Sequence, residues 1–155
     1  MKMINNFSPS PQAFALALHF EGCKLNAYKD QRGIWTIGIG HTANVYPGQF
    51  ISTAQAQEFF KQDMQERITQ TNAVISSPIT QNMFDACLDF VFNEGIGNFM
   101  SSTLLKLINS NPLNPAIESQ FLAWDKIRVD NKLIFSQGLL NRRKAEWELY
   151  SRKIS

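Results

Sequence analysis

The stretch Glu21–His41, EGCKLNAYKDQRGIWTIGIGH, decides how this chain is read. It places two carboxylates, Glu21 and Asp30, nine positions apart. After them come a turn (Gln31-Arg32-Gly33), a β-type run (Ile34-Trp35-Thr36-Ile37) and a Gly38-Ile39-Gly40 step into His41. A segment that only builds a core needs neither a glutamate at the end of an apolar helix nor two glycines flanking one isoleucine. The stretch is therefore expected to carry the site, and the rest of the chain to hold it and grip the substrate.

Working outward, Ser10 before Pro11 is a helix start: a capping hydroxyl, then a proline where the missing N–H costs nothing. The helix over 11–21 carries Phe14, Leu16, Ala17, Leu18 and Phe20, so most of it is expected to be buried. It ends at Glu21-Gly22, which puts Glu21 against unpaired helix-end carbonyls. Leu25–Lys29 and Ile34–Ile39 read as a hairpin turning at Gly33. Val45–Ile51 reads as a third strand with a turn or bulge at Pro47-Gly48. No other clear β signal is expected.

Ser52-Thr53-Ala54-Gln55 is a capping-box pattern opening a long helix to about Ile75. That helix could bridge two lobes. Beyond Ser76 the punctuation is helical: Thr80 through Phe92, Thr103–Ile108, Asn114 to Trp124, a loop over Arg128–Lys132, and Gln137 to Arg152. The fold class is α+β in one domain over 1–155. Its sheet lobe covers about 22–52 and its helical lobe about 76–155, with helix 11–21 packed on the latter and a cleft between the lobes.

The 155 residues can bury one sizeable core, and 44% hydrophobic with 18% charged residues is ordinary for a globular protein. A net charge of +2 gives no global reason to bind nucleic acid. Arg142, Arg143, Lys144, Arg152 and Lys153, set against Glu146 and Glu148, make the C-terminal helix basic. That is either a solvated face or an attraction to a polyanionic wall or membrane. Cys23 and Cys87 make no disulfide framework, and with His19 and His41 they lack zinc-ligand spacing, so no metal or cofactor is expected. The run Ala13–Phe20 is too short to span a bilayer, and no secretory leader is apparent, so a cytoplasmic location is expected.

Two carboxylates across a cleft suit glycosidic bond cleavage, one protonated and one ionised. Glu21 suits the acid, because an apolar helix and helix-end carbonyls both disfavour its charge. Asp30, beside a turn, meets solvent and backbone N–H groups that favour the charged form. Thr36, on the return strand, offers a hydroxyl that can orient water. On the residues alone the pair stays open. A Glu and an Asp at this spacing are common, threonine favours strands anyway, and His41 could be structural or catalytic.

The segment Phe20–Thr42 resembles the catalytic signature of phage-type lysozymes. The matching residues are Glu21-Gly22, Asp30, Gly33, Thr36-Ile37-Gly38 and Gly40-His41. Gln81–Phe99 with Ser101–Leu105 is similar to the family's helical-lobe block, and Gly138–Glu146 to its C-terminal block. The resemblance implies a lysozyme-like fold that hydrolyses the bond between N-acetylmuramic acid and N-acetylglucosamine in peptidoglycan and lyses the bacterial host. Glu21 would be the general acid, with Asp30 and Thr36 positioning water for inversion. His41 would be structural. Thr42, Phe92, Ser102 and Arg142 would contact saccharide, Arg142 lying near Glu21. The enzyme would be a monomer, held in the host cytoplasm until a holin opens the membrane. A basic C-terminal helix could touch membrane. A lytic transglycosylase, or an inactive wall-binding module, is the alternative.

Overall fold

Ser10 starts the first helix of the computed structural model, which describes residues 4–153. Its side chain accepts from Gln12 N–H, and Pro11 occupies the first turn of α1 (Pro11–Glu21). The Ser10 hydroxyl also donates to buried Asp85, tying the helix start to the core. Gly22 ends α1 with a positive φ of 65°, its N–H bonding the Leu18 carbonyl. Contrary to expectation, α1 is mostly on the surface. Only Ala13 and Ala17 are buried, while Phe14 and Leu18 are 39% and 47% exposed. The small alanines let the helix approach its neighbours closely, Leu16 packs partly buried against the core, and Phe14 meets Phe60 edge-on.

β1 (Lys24–Lys29) and β2 (Trp35–Gly38) form the expected antiparallel hairpin, pairing Tyr28 with Thr36 and Lys29 with Trp35. The register is broken by an irregularity between Lys24 and Tyr28. The third strand expected over Val45–Ile51 is not formed. That segment touches β1 through one bridge, Asn26 to Phe50, with Ala27 N–H on Gln49 O and Ile51 N–H on Leu25 O. Asn44 and Gly48 take positive φ, and Pro47 lacks an N–H, so the segment cannot run as a regular strand.

The capping box at Ser52 is present, with Gln55 reciprocating, and opens α2 (Thr53–Val74). This helix serves both lobes. Ala56 packs with Ile37 and Ile51 under the hairpin. One turn on, Phe60 and Met64 pack with Ala13, Phe84, Leu88 and Phe92.

α3 (Gln81–Glu94) runs through the core with ten consecutive residues, Met83–Phe92, buried. Around it lie α4 (Ile96–Ser101), α5 (Thr103–Ser110), α6 (Ile117–Leu122) and α7 (Gln137–Ser151). Phe90, Phe99, Phe121 and Tyr150 knit them together by edge and tilted ring contacts. A second hairpin, β3 (Lys126–Val129) and β4 (Lys132–Phe135), stands where the sequence suggested a loop. Its two-residue turn, Asp130-Asn131, has φ of 50° and 65°, the left-handed pair that matches strand twist.

The C-terminal helix is less basic outside than its sequence suggests. Arg142 and Arg143 are 4% and 0% exposed, and Glu146 is also buried. Arg152 is paired with Glu148 at 3.2 Å. Two of the five cations counted toward a membrane-attracting face thus belong to the interior.

Candidate active site

The end of α1, the first hairpin and the end of α3 enclose a cleft of about 560 Å³. Glu21, Asp30, Thr36, Thr42 and Phe92 all line it. The turn after β1 places Asp30. Its Oδ1 accepts from Arg32 N–H at 2.8 Å and Ile34 N–H at 2.9 Å, which closes the turn and leaves Oδ2 without a protein partner among the described residues. Thr36, buried in β2, donates its hydroxyl to Ile34 O at 2.9 Å, so an oxygen lone pair remains for another partner. Tyr28 from β1 also lines the cleft. Burial, then the charges of Glu21 and Asp30, raise its phenol above the ordinary value.

The Gly38-Ile39-Gly40 step is a tight reversal. Ile37 and His41 exchange both backbone hydrogen bonds, at 2.9 and 3.0 Å. Both glycines take positive φ, 64° and 68°. Gly40 has a second reason to be glycine: a Cβ there would fall 2.9 Å from the carboxyl carbon of Glu21. The backbone approaches the acid that closely because no side chain intervenes. His41 Nδ1 lies 2.8 Å from Asp63, and its ring stacks on Phe59 at 4.3 Å.

From behind, α7 reaches Glu21. Arg142 Nη1 lies 2.6 Å from Glu21 Oε2. The same guanidinium grips Asp89 of α3 through Nε at 2.8 Å and Nη2 at 2.9 Å. Burial works against the Arg142 charge, but Asp89 and then Glu21 more than offset it, so the group stays cationic. Arg142 is nearly enclosed, so its position suits holding Glu21 better than touching saccharide.

Ser102 is not brought to the cleft. It caps α5, accepting from Leu105 N–H and donating to Phe99 O, and is 4% exposed. Several cleft residues went unread in the sequence. Arg32 crosses from the hairpin turn to Glu94 at 3.0 Å and to Asn93 O at 3.3 Å. Asp63, Glu66 and Arg67 of α2 form part of the wall. Charged residues on a long, sparsely apolar helix give no sign of which way they face. No group of side chains suited to hold a metal occurs among the described residues.

The chain is similar to known proteins over most of its length. The sequence model of the family described as phage lysozyme matches residues 18–146. An endolysin of Acyrthosiphon pisum secondary endosymbiont phage 1 is 38% identical over 141 residues, covering 91% of this chain and 96% of that protein. The structure of an endolysin from Escherichia coli O157:H7 phage FAHEc1 superposes with a TM-score of 0.86 at 31% identity, covering 97% of each chain. A muramidase domain of SpmX from Asticaccaulis excentricus gives 0.84 at 26% identity, covering 96% of this chain and all of that one. The chain belongs to the phage lysozyme family: it has the lysozyme-like α+β fold and is a glycoside hydrolase of the lysozyme type.

Proposed function

We propose that this enzyme is an endolysin that hydrolyses the β-1,4 bond between N-acetylmuramic acid and N-acetylglucosamine in peptidoglycan, with inversion at the anomeric carbon. The observation that carries the proposal is the placement of Glu21, Asp30 and Thr36 on one cleft, from three different local structures. Glu21 stands at a helix end with Gly40 against its carboxyl group, so its position is fixed on two sides. It serves as the general acid toward the leaving oxygen. Asp30 has one oxygen committed to the turn and the other available to a water molecule. With Thr36 beside it, that water is oriented and deprotonated as it attacks, and the product is inverted. Thr42 and Phe92 contribute to the saccharide surface. The names of the matched relatives, endolysins and a muramidase domain, support the substrate class.

The test is the product itself. Digested wall, followed by proton NMR at early times and by mass spectrometry, should give α-anomeric reducing ends. Anhydro-muropeptides as the main product, or a β-anomer formed first, would overturn the mechanism. The reading includes release by a holin: production in the host cytoplasm alone should leave cells intact, and co-production of a holin should lyse them. Prompt lysis without a holin would remove that dependence.

A further inference from the structure

The end of α3 carries an amide that the mechanism above does not use. Asn93 follows Phe92 and stands two residues before Gly95, which ends the helix with a φ of 89°. It is half-buried and lines the cleft. It also lines a smaller recess of about 180 Å³, where Gly138 and Arg142 of α7 form part of the wall. Glu21 and Asp30 line the same two spaces, so Asn93 shares the surroundings of both carboxyl groups.

Two arginines hold this residue. Arg143 Nη2 donates to Asn93 Oδ1 at 2.7 Å. Arg32 Nη1 donates to the Asn93 backbone carbonyl at 3.3 Å. Arg143 is fully enclosed, and Glu94 and Glu146 hold the same guanidinium, so it has no room to swing away. A guanidinium carries donors only, so the atom it meets is the amide oxygen and not the nitrogen. That fixes the sense of the Asn93 amide: oxygen toward the interior, NH2 group left over. Nδ2 has no acceptor among the described residues, and it is not sealed from solvent.

We propose that Asn93 is a substrate-binding residue whose Nδ2 donates to an acceptor oxygen of the glycan, either an acetamido carbonyl or a hydroxyl. The inference rests on the peptidoglycan reading of the cleft. Each ring of that glycan carries an acetamido carbonyl, which accepts and cannot donate. The open side of the Asn93 amide donates and cannot accept, so the two are complementary. Because both carbonyl oxygens of Asn93 are already held, little rotamer freedom remains to be lost when sugar binds. Arg143 is a positioning residue: it touches no sugar and decides which end of the amide is left for the ligand.

The test uses the Glu21→Gln protein, so that ligand is bound without turnover, and a peptidoglycan tetrasaccharide. Adding Asn93→Ala should raise the dissociation constant about fivefold, the effect of one lost neutral hydrogen bond. Asn93→Asp is the sharper variant. It keeps an oxygen for Arg143 but puts a second oxygen where Nδ2 stood, so acceptor meets acceptor. It should resist urea at least as well as Asn93→Ala and yet bind the tetrasaccharide no better. A purely structural Asn93 predicts the opposite order, with Asn93→Asp binding close to the Glu21→Gln background. That order overturns the proposal, as does an unchanged constant in Asn93→Ala.

Should neither variant fold, nitrogen-edited NMR of the Glu21→Gln protein decides. The Asn93 side-chain amide resonance should move when tetrasaccharide is added, and a resonance that stays still overturns the proposal. A de-N-acetylated tetrasaccharide separates the two acceptors: the effect of Asn93→Ala disappears if the carbonyl is the partner and persists if a hydroxyl is. A Glu21→Gln protein that binds no tetrasaccharide at all would fail the peptidoglycan reading and this inference with it, a result distinct from binding that ignores Asn93.

Discussion

Arg142 Nη1 lies 2.6 Å from Glu21 Oε2, while its Nε and Nη2 hold Asp89. One guanidinium thus ties the end of α1 to the buried middle of α3. Removing it leaves Asp89, which is fully enclosed, without its cation. Arg142→Met should lower unfolding free energy by about 3–5 kcal/mol, because a buried charge loses its partner. Urea unfolding at neutral pH measures this, and a loss below about 1 kcal/mol would mean that water replaces the guanidinium.

Glu21→Gln should keep the fold and abolish turnover, with kcat down by about a thousandfold or more if the proton donor is lost. Circular dichroism and turbidity loss of purified wall report the two halves. Activity near the parent level would remove Glu21 from the acid role.

Gly40→Ala should act on the same acid from the other side. The position has φ of 68°, and the new methyl would strike the Glu21 carboxyl at 2.9 Å. Backbone strain alone should cost about 1 kcal/mol. The displaced carboxyl should cost about a hundredfold in kcat, since misplacement by an ångström is felt at that scale. Thermal unfolding and initial rates separate the two. A variant with normal rate and lowered stability would show that Glu21 moves aside without penalty.

The stability of Glu146→Gln relative to the parent should depend on pH in one direction. The folded-state carboxyl of Glu146 is raised, so the proton it holds stabilises the fold below about pH 4.3 and that stability is lost as pH rises toward the folded value. Glutamine has no proton to hold. The variant should therefore gain on the parent as pH rises from about 5, by up to about 1.4 kcal/mol per pH unit. Asp89 has the opposite sign, its lowered value giving stability above about pH 4 that disappears on acidification, and it is common to both proteins. A difference that stays flat between pH 5 and 8 would mean that Glu146 is charged in the fold.

The cysteines give a simple count. Cys23 is exposed and Cys87 buried, both as free thiols. Burial, with Glu146 nearby, pushes the Cys87 thiol up, so it offers little thiolate. A disulfide reagent should titrate one thiol in the native protein and both in denaturant. Two rapid native reactions would place Cys87 at the surface.

The local pieces of the site were legible because each is a short-range device. The capped start at Ser10, the capping box at Ser52 and the glycine reversal before His41 depend on neighbours within a few residues. The second hairpin was missed because Asp130-Asn131 lies among polar residues that resemble a loop, although two positive-φ formers between four-residue runs are themselves a turn signal. The third strand was over-read: Val45, Phe50 and Ile51 have strand character, but Asn44 and Gly48 bend the backbone away. The resemblance placed Ser102 on the saccharide surface, whereas its side chain caps α5 away from the cleft. Of the charged interior, only Arg142 beside Glu21 was legible, as what the resemblance implies. Arg142, Arg143 and Glu146 share α7 with Lys144 and Glu148, and helical spacing does not say which charges turn inward; only the partners on α3 decide that.

Arg32 gives the cleft a property of a different kind. It belongs to the first hairpin, yet its guanidinium rests on Glu94 and Asn93 at the end of α3. Arg32 is partly exposed, whereas Arg143, on the same Glu94 oxygen, is sealed. Raising ionic strength should therefore weaken the Arg32 link between hairpin and helices more than the sealed Arg143 link.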